Sequence, residues 1–145
     1  MCGGDVSMTS YKARSLRSFK KFEIEGEAIV TSEPITLLGF VDPASGKIVE
    51  EGHELNGISI HDKIFVFPRG IGSTVGPYTL INLVKNGMGP KAIINRESDQ
   101  GTVAGCSVAR IPMVYGMEED PTKVIKTGDK IKIIALANEA TVEIM

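Results

Sequence analysis

The sequence predicts one α/β or barrel-like domain, and three patterns carry that prediction. Many segments read as short strands, some alternating and some apolar throughout. The segment after Pro77 repeats apolar residues at helical spacing. Residues 63–95 run strand, loop, helix, strand, most economically a right-handed crossover. A length of 145 residues suits a single domain with a real hydrophobic core.

Taken in order, Met1 to Ser10 are small and polar, and Lys12, Arg14, Arg17, Lys20 and Lys21 form a basic run. Residues 1–21 therefore read as a solvated, partly disordered arm, with docking onto an acidic partner as the sharper alternative. The domain proper is 22–145. Phe22, Ile24, Gly26, Ala28 and Val30 alternate with Glu23, Glu25 and Glu27, which predicts a half-buried strand. Thr36 to Val41 reads as a second strand, and Asp42-Pro-Ala-Ser-Gly46 as a turn. Lys47 to Glu51 reads as a short strand and Gly52 to Gly57 as loop.

Lys63-Ile-Phe-Val-Phe67 is a short apolar run that ends at Pro68. The following helix starts near Pro77, whose missing N–H costs nothing in a first turn. Pro77, Leu80, Ile81 and Val84 share a face, Asn86-Gly87 supplies a C-cap, and Pro90 forbids continuation. Lys91 to Asn95 reads as a buried strand. Gly101 to Val114 reads as strand or short helix, broken at Ile111-Pro112. Lys126 to Lys130 turns into the strand Ile131 to Ala135, and residues 140–145 make one more short strand.

Composition removes several function classes. A net charge of −2 gives no field that would hold nucleic acid. No apolar run is long enough to span a bilayer, and the first residues lack the order of a signal peptide. The two cysteines, Cys2 and Cys106, fit a reducing compartment, so the chain reads as cytoplasmic. Neither they nor the two histidines, His53 and His61, have a recognised metal-ligand spacing. Cys106 reads as a buried small hydrophobe, and the histidines as surface or loop residues.

The stretch with chemical promise is Phe67-Pro-Arg-Gly-Ile-Gly-Ser-Thr-Val-Gly-Pro-Tyr78. Gly70, Gly72 and Gly76 permit close backbone approach, and free N–H groups at a helix start stabilise carboxylate or phosphate. The phosphate-loop pattern is absent, and the third glycine comes one residue late for the dinucleotide fingerprint. Spacing alone leaves a tight strand-to-helix turn and an anion site both open. Arg69 is placed to pair with carboxylate or phosphate, or to make a surface salt bridge. Ser73 needs a base or a stabilising field to act as more than an N-cap, and Thr74 stands beside it.

Arg69-Gly-Ile-Gly-Ser-Thr-Val-Gly76, Tyr78-x-Leu80-x-x-Leu83-x-x-Asn86-Gly87 and Pro90-Lys-Ala-Ile-Ile94 follow one another in an order that resembles the small subunits of the aconitase X family. Gly105, Ile111-Pro112-Met-Val114 and Thr127-Gly-Asp129 continue the resemblance over residues 22–145. Within the family it looks most like the archaeal-type phosphomevalonate dehydratase branch. The resemblance implies a swivelling β/β/α domain, a small barrel flanked by helices. It implies a hydro-lyase subunit that is inactive without a large subunit, in a heterodimer or higher assembly. The large subunit, not this chain, would bind a 4Fe–4S cluster, for which two cysteines are too few.

The resemblance assigns proton abstraction to Ser73, with Arg69, Gly70, Gly72, Thr74 and Gly76 binding the anionic substrate. Aconitase itself has an arginine where Val75 stands, which leaves support of the alkoxide to Arg69 or to the partner. The implied reaction removes a proton α to a carboxylate while a β-hydroxyl leaves, assisted by an open iron site. For (R)-5-phosphomevalonate the products are trans-anhydromevalonate 5-phosphate and water, in a modified mevalonate route to isoprenoids. Alternatives are a hydroxyproline-type dehydratase subunit, a non-catalytic phosphometabolite-binding module, and a phosphocarrier swivel domain. The last wants a histidine where Ser73-Thr74 stand.

Overall fold

The computed structural model describes residues 9–16, 21–33, 35–36, 41–71 and 76–145, with the side chains of 35, 36, 71, 76, 77 and 79 left aside. Its strands are β1 (Thr9–Ser15), β2 (Lys21–Val30), β3 (Ile35–Thr36), β4 (Ile64–Phe67), β5 (Gly70–Ile71), β6 (Ala92–Asn95), β7 (Met113–Tyr115), β8 (Lys130–Leu136) and β9 (Glu139–Ile144). Its helices are α1 (Gly76–Lys85), α2 (Gln100–Ala109) and α3 (Pro121–Val124). A closed barrel runs β1-β7-β6-β4-β2-β8-β9, and β3 pairs with β5 outside it.

The barrel is mixed because its strands face two environments. β4, β6 and β7 pair in parallel, as does the end of β2 with β4. Their apolar runs are continuous because both faces are covered. Ile64, Val66, Ala92, Ile94 and Val114 point into the barrel with Ile131, Ile133 and Val142. Phe65, Phe67, Ile93 and Met113 point out, against Leu80 and Leu83 of α1, Cys106 and Ala109 of α2, and Ile48, Leu55 and Ile60. The Phe65 and Phe67 rings lie 4.6 Å apart. Each such side chain, fully buried, contributes about 1.5–3 kcal/mol. β8 and β9 pair antiparallel, alternate buried with exposed residues, and so face water on one side.

α1 ends as its sequence predicts. Gly87 takes φ 74°, Gly87 N–H donates to Val84 at 3.0 Å, and Met88 N–H donates to Leu83 at 2.8 Å. That pair of bonds is the Schellman arrangement, open to Gly at low cost. The Asp42–Gly46 turn also forms: Gly46 N–H reaches the Asp42 carbonyl at 2.7 Å, and Ser45 Oγ donates to the Asp42 carboxylate at 2.8 Å.

Three sequence expectations need correction, and a fourth, left open as strand or short helix, resolves into both. The supposed arm is a barrel stave over Thr9–Ser15, in register with β9 from Thr9↔Ile144 to Arg14↔Glu139 and touching β7 at Ser15↔Val114. Its inward residues, Ala13 and Ser15, are small, so the alternation was masked by the outward Lys12 and Arg14. Residues 1–8 and 17–20 lie outside the described residues. Of the predicted strand 36–41, Thr36 ends β3, Val41 only bridges to Ile48, and 37–40 lie outside the described residues. Of residues 47–51, Lys47 and Ile48 form isolated bridges and the rest no strand. Residues 101–114 divide into α2 and β7 around Ile111-Pro112.

Arg110 closes α2 in the left-handed region, φ 61°, with its N–H on the Cys106 carbonyl. It is exposed, and no ion pair or side-chain hydrogen bond holds it among the described residues. Arg110→Gly should therefore raise stability by about 0.5–1 kcal/mol, because a Cβ in this region is strained. Chemical denaturation with the slope unchanged is the measurement, and a midpoint that stays put or falls would contradict it.

Candidate active site at the carboxyl edge of the parallel strands

The parallel strands β2, β4, β6 and β7 end side by side, as the pairs Val30↔Val66, Phe67↔Asn95 and Asn95↔Tyr115 show. In open parallel sheets this edge is where loops gather and ligands bind. Residues leaving it are stitched together by backbone bonds. Thr31 N–H donates to Val66 at 3.0 Å, and the N–H groups of Arg96 and Glu97 both donate to the Pro68 carbonyl, at 3.0 and 3.1 Å.

The chain leaving β4 passes Pro68 and Arg69 and enters β5. Gly70 is buried there, and its N–H donates to Asp99 Oδ1 at 2.8 Å. The other oxygen of Asp99 accepts from Thr102 N–H at 2.9 Å and Thr102 Oγ1 at 3.0 Å, capping α2. One carboxylate thus fixes a helix start and the root of the glycine-rich turn. A Cβ on Gly70 would lie 2.6 Å from Thr102 Oγ1, so only glycine fits without a shift. β5 is held on its other side by β3, through Ile35↔Gly70 and Thr36↔Ile71.

Of the six residues assigned to the site from sequence, three have described positions. Gly70 lies in β5, Arg69 precedes it on the surface, and Gly76 opens α1. Gly72, Ser73 and Thr74 lie outside the described residues, bracketed by β5 and α1. Arg69 is exposed and makes no ion pair among the described residues. The first turn of α1 contains no acidic residue, so nothing on it offsets the partial positive charge of the helix start.

Four residues at this edge escaped sequence reading. Asp99 is one; its signal was an Asp three residues ahead of Thr102, an N-cap pattern just before a stretch read as strand or short helix. Asn95 is fully buried at the end of β6, with Nδ2 donating to the Phe67 carbonyl at 3.2 Å and Oδ1 without a partner among the described residues. Arg96 reaches Glu97 at 3.3 Å and Asp120 at 3.6 Å. Burial disfavours the Asp120 carboxylate, but bonds from Thr122 and the Arg96 guanidinium outweigh it and hold Asp120 below the usual range. His53 departs from expectation: it is buried, while His61 is exposed.

Cys106 is a core residue of α2, as expected. Burial, and then the nearby Asp99 carboxylate, push its thiol well up from the ordinary value. Among the described residues no three His, Cys, Asp or Glu side chains gather to hold a metal ion. An iron–sulfur cluster wants three or four thiolates. This chain has two cysteines, one buried in apolar surroundings, so its donor set does not fit such a cluster.

Comparison with known proteins adds four findings. The family model described as the aconitase X swivel domain matches residues 13–144. The phosphomevalonate dehydratase small subunit of Archaeoglobus fulgidus is 43% identical over 129 residues, spanning 89% of this chain and 96% of that protein. That of Methanosarcina acetivorans is 45% identical over 109 residues, spanning 75% and 76%. The crystal structure of Thermococcus kodakaraensis aconitase X in its holo form superposes with a TM-score of 0.80 at 40% identity, covering 92% of this chain and 98% of that one.

Two outcomes follow from this geometry. Asp99→Ala should cost about 2–3 kcal/mol, one part from the lost cap and the rest from the unpaired Gly70 N–H. Thermal unfolding measures it, and a loss under about 0.5 kcal/mol would show that Asp99 does not join the two elements. Cys106 should resist iodoacetamide at pH 8 until the domain is unfolded. Rapid labelling of the native protein at Cys106, read by peptide mass spectrometry, would contradict that.

Proposed function

Because this chain belongs to the aconitase X swivel-domain family, we propose that Ser73 is the proton acceptor of a phosphomevalonate dehydratase of which the chain is the small subunit. The enzyme is a hydro-lyase, and its small subunit works with a large one. The observation that supports the site most directly is the anchoring of β5. Asp99 and β3 fix Gly70 and Ile71, so the turn that follows starts from a rigid root. Rigid placement matters because general bases act only within hydrogen-bond reach of the proton they remove.

In this reading Ser73 takes the proton from the carbon next to the substrate carboxylate. The electron pair of that C–H bond becomes the new double bond, and the C–O bond to the β-hydroxyl breaks. The departing oxygen leaves as water after gaining a proton. The products from (R)-5-phosphomevalonate are trans-anhydromevalonate 5-phosphate and water. Developing charge at the serine oxygen is stabilised by the start of α1, with Gly72, Thr74 and Gly76 lending N–H groups or a hydroxyl. Arg69 pairs with a carboxylate or phosphate oxygen.

The iron–sulfur cluster of this reading belongs to the large subunit, since the donor set of this chain does not suit it. When bound there it would assist departure of the hydroxyl. No helix of the described residues is long and apolar enough to cross a membrane, and we place the enzyme in the cytoplasm.

The test is kinetic. The isolated chain should have no dehydratase activity, and the reconstituted two-subunit enzyme should have it. Ser73→Ala in that enzyme should lower kcat by about a thousandfold, within the span of general-base catalysis, with subunit association and melting unchanged. Turnover within about tenfold of normal would remove Ser73 from the role of base.

A further inference from the structure

Half-buried elements of the barrel carry charge on their wet side. β2 places Lys21, Glu23, Glu25 and Glu27 in ten residues, and β8 turns Lys130 and Lys132 outward. The two long helices break this habit. α1 and α2 cover the outward side of the parallel strands with Leu80, Leu83, Cys106 and Ala109. Their opposite side is open. Together they hold twenty residues and a single charge, Lys85 in the last turn of α1. At the 23% charge of the whole chain, twenty residues would carry about four or five.

Apolar and small side chains stand where the charges are missing. Tyr78 is 62% exposed, Val108 66% and Val84 41%. Gln100, Ala104 and Val108 lie four residues apart and form one exposed line along α2. Exposed aromatic and branched side chains without charge are the composition of an interface core. Lys85 and Arg110, both exposed at the far ends of the two helices, stand where such a core has its polar rim.

The size of this face bears on what covers it. Ten residues of helix are about 15 Å long, and packed axes lie about 9 Å apart, so the outline is roughly 300 Å². A stable complex buries about 800 Å² on each partner. A second copy seated on this face alone falls well short of that, so the occupant extends onto adjoining surface. Tyr78 marks the direction. It stands in the first turn of α1, at the carboxyl edge of the parallel strands, where Arg69 is exposed and where Asp99 ties the start of α2 to Gly70. A protein that covers both this edge and the helices is one that completes the site.

We propose that the outer face of α1 and α2 is a docking surface for the large subunit, anchored by Tyr78 and Val108 and continuous with the carboxyl edge. This rests on the two-subunit reading above and not on the role of Ser73.

The test measures association of the full chain with the purified large subunit by calorimetry. Val108→Glu and Ala104→Glu each put a charge on the face at a position exposed in the free chain, so the melting temperature of the isolated chain should not move. Each should weaken association by at least about tenfold. Leu136→Glu is the control. Leu136 is also 66% exposed, but it lies on β8 beside the start of β2, at the other end of the barrel. It should change affinity by less than about twofold. Tyr78 should lose hydroxyl-radical labelling when the large subunit binds. Normal affinity in both α2 variants, an equal loss in Leu136→Glu, or unchanged labelling of Tyr78 would overturn the proposal. Self-association of the isolated chain that Val108→Glu abolishes, with large-subunit affinity intact, would give the face to a second copy and overturn it as well. A wild-type chain that does not bind the large subunit sinks the two-subunit reading along with it; binding by wild type and variants alike sinks the docking face alone.

Discussion

Strands buried on both faces leave polar chemistry little room except at their ends. β4, β6 and β7 put apolar side chains into the barrel on one side and under α1 and α2 on the other. A charged group along them would need a partner in surroundings that supply none. Their carboxyl ends carry what the faces exclude: Pro68 and Arg69 after β4, Arg96 after β6, Thr31 after β2. The position of the site follows from this constraint before any residue in it is considered. The backbone bonds from Arg96 and Glu97 to Pro68 then tie neighbouring strand exits into one surface.

Sequence patterns carried a good part of this architecture. β2 and β8 announce themselves by alternation, β4 and β6 by short apolar runs, and α1 by its proline start and Asn86-Gly87 stop. What failed to register has a common cause: small or ambivalent residues in demanding places. β1 turns Ala13 and Ser15 inward, which leaves no apolar stripe to read. α2 is built from Gly, Thr, Val, Ser and Ala, a mixture with little helical signature. Its start depends on Asp99, whose bonds to Thr102 and Gly70 join residues that no local window contains together. The burial of His53 is likewise a tertiary fact, since nothing in its neighbours distinguishes it from the exposed His61.

The site shows the same division. The glycine-rich stretch and Arg69 could be proposed from sequence because they are local in it. The parts that hold β5 were not readable, since they come from β3 and the start of α2, more than twenty residues away on either side. A residue type can be guessed from its own neighbourhood; the rigidity that makes it useful comes from distant contacts.

The pairing of Thr9 with Ile144 has a topological consequence. The polypeptide enters the barrel and leaves it at one corner, on adjacent antiparallel staves. Joining those two ends by a short peptide and reopening the chain at an exposed turn, such as Gly128 or Asn138, would preserve every strand neighbour.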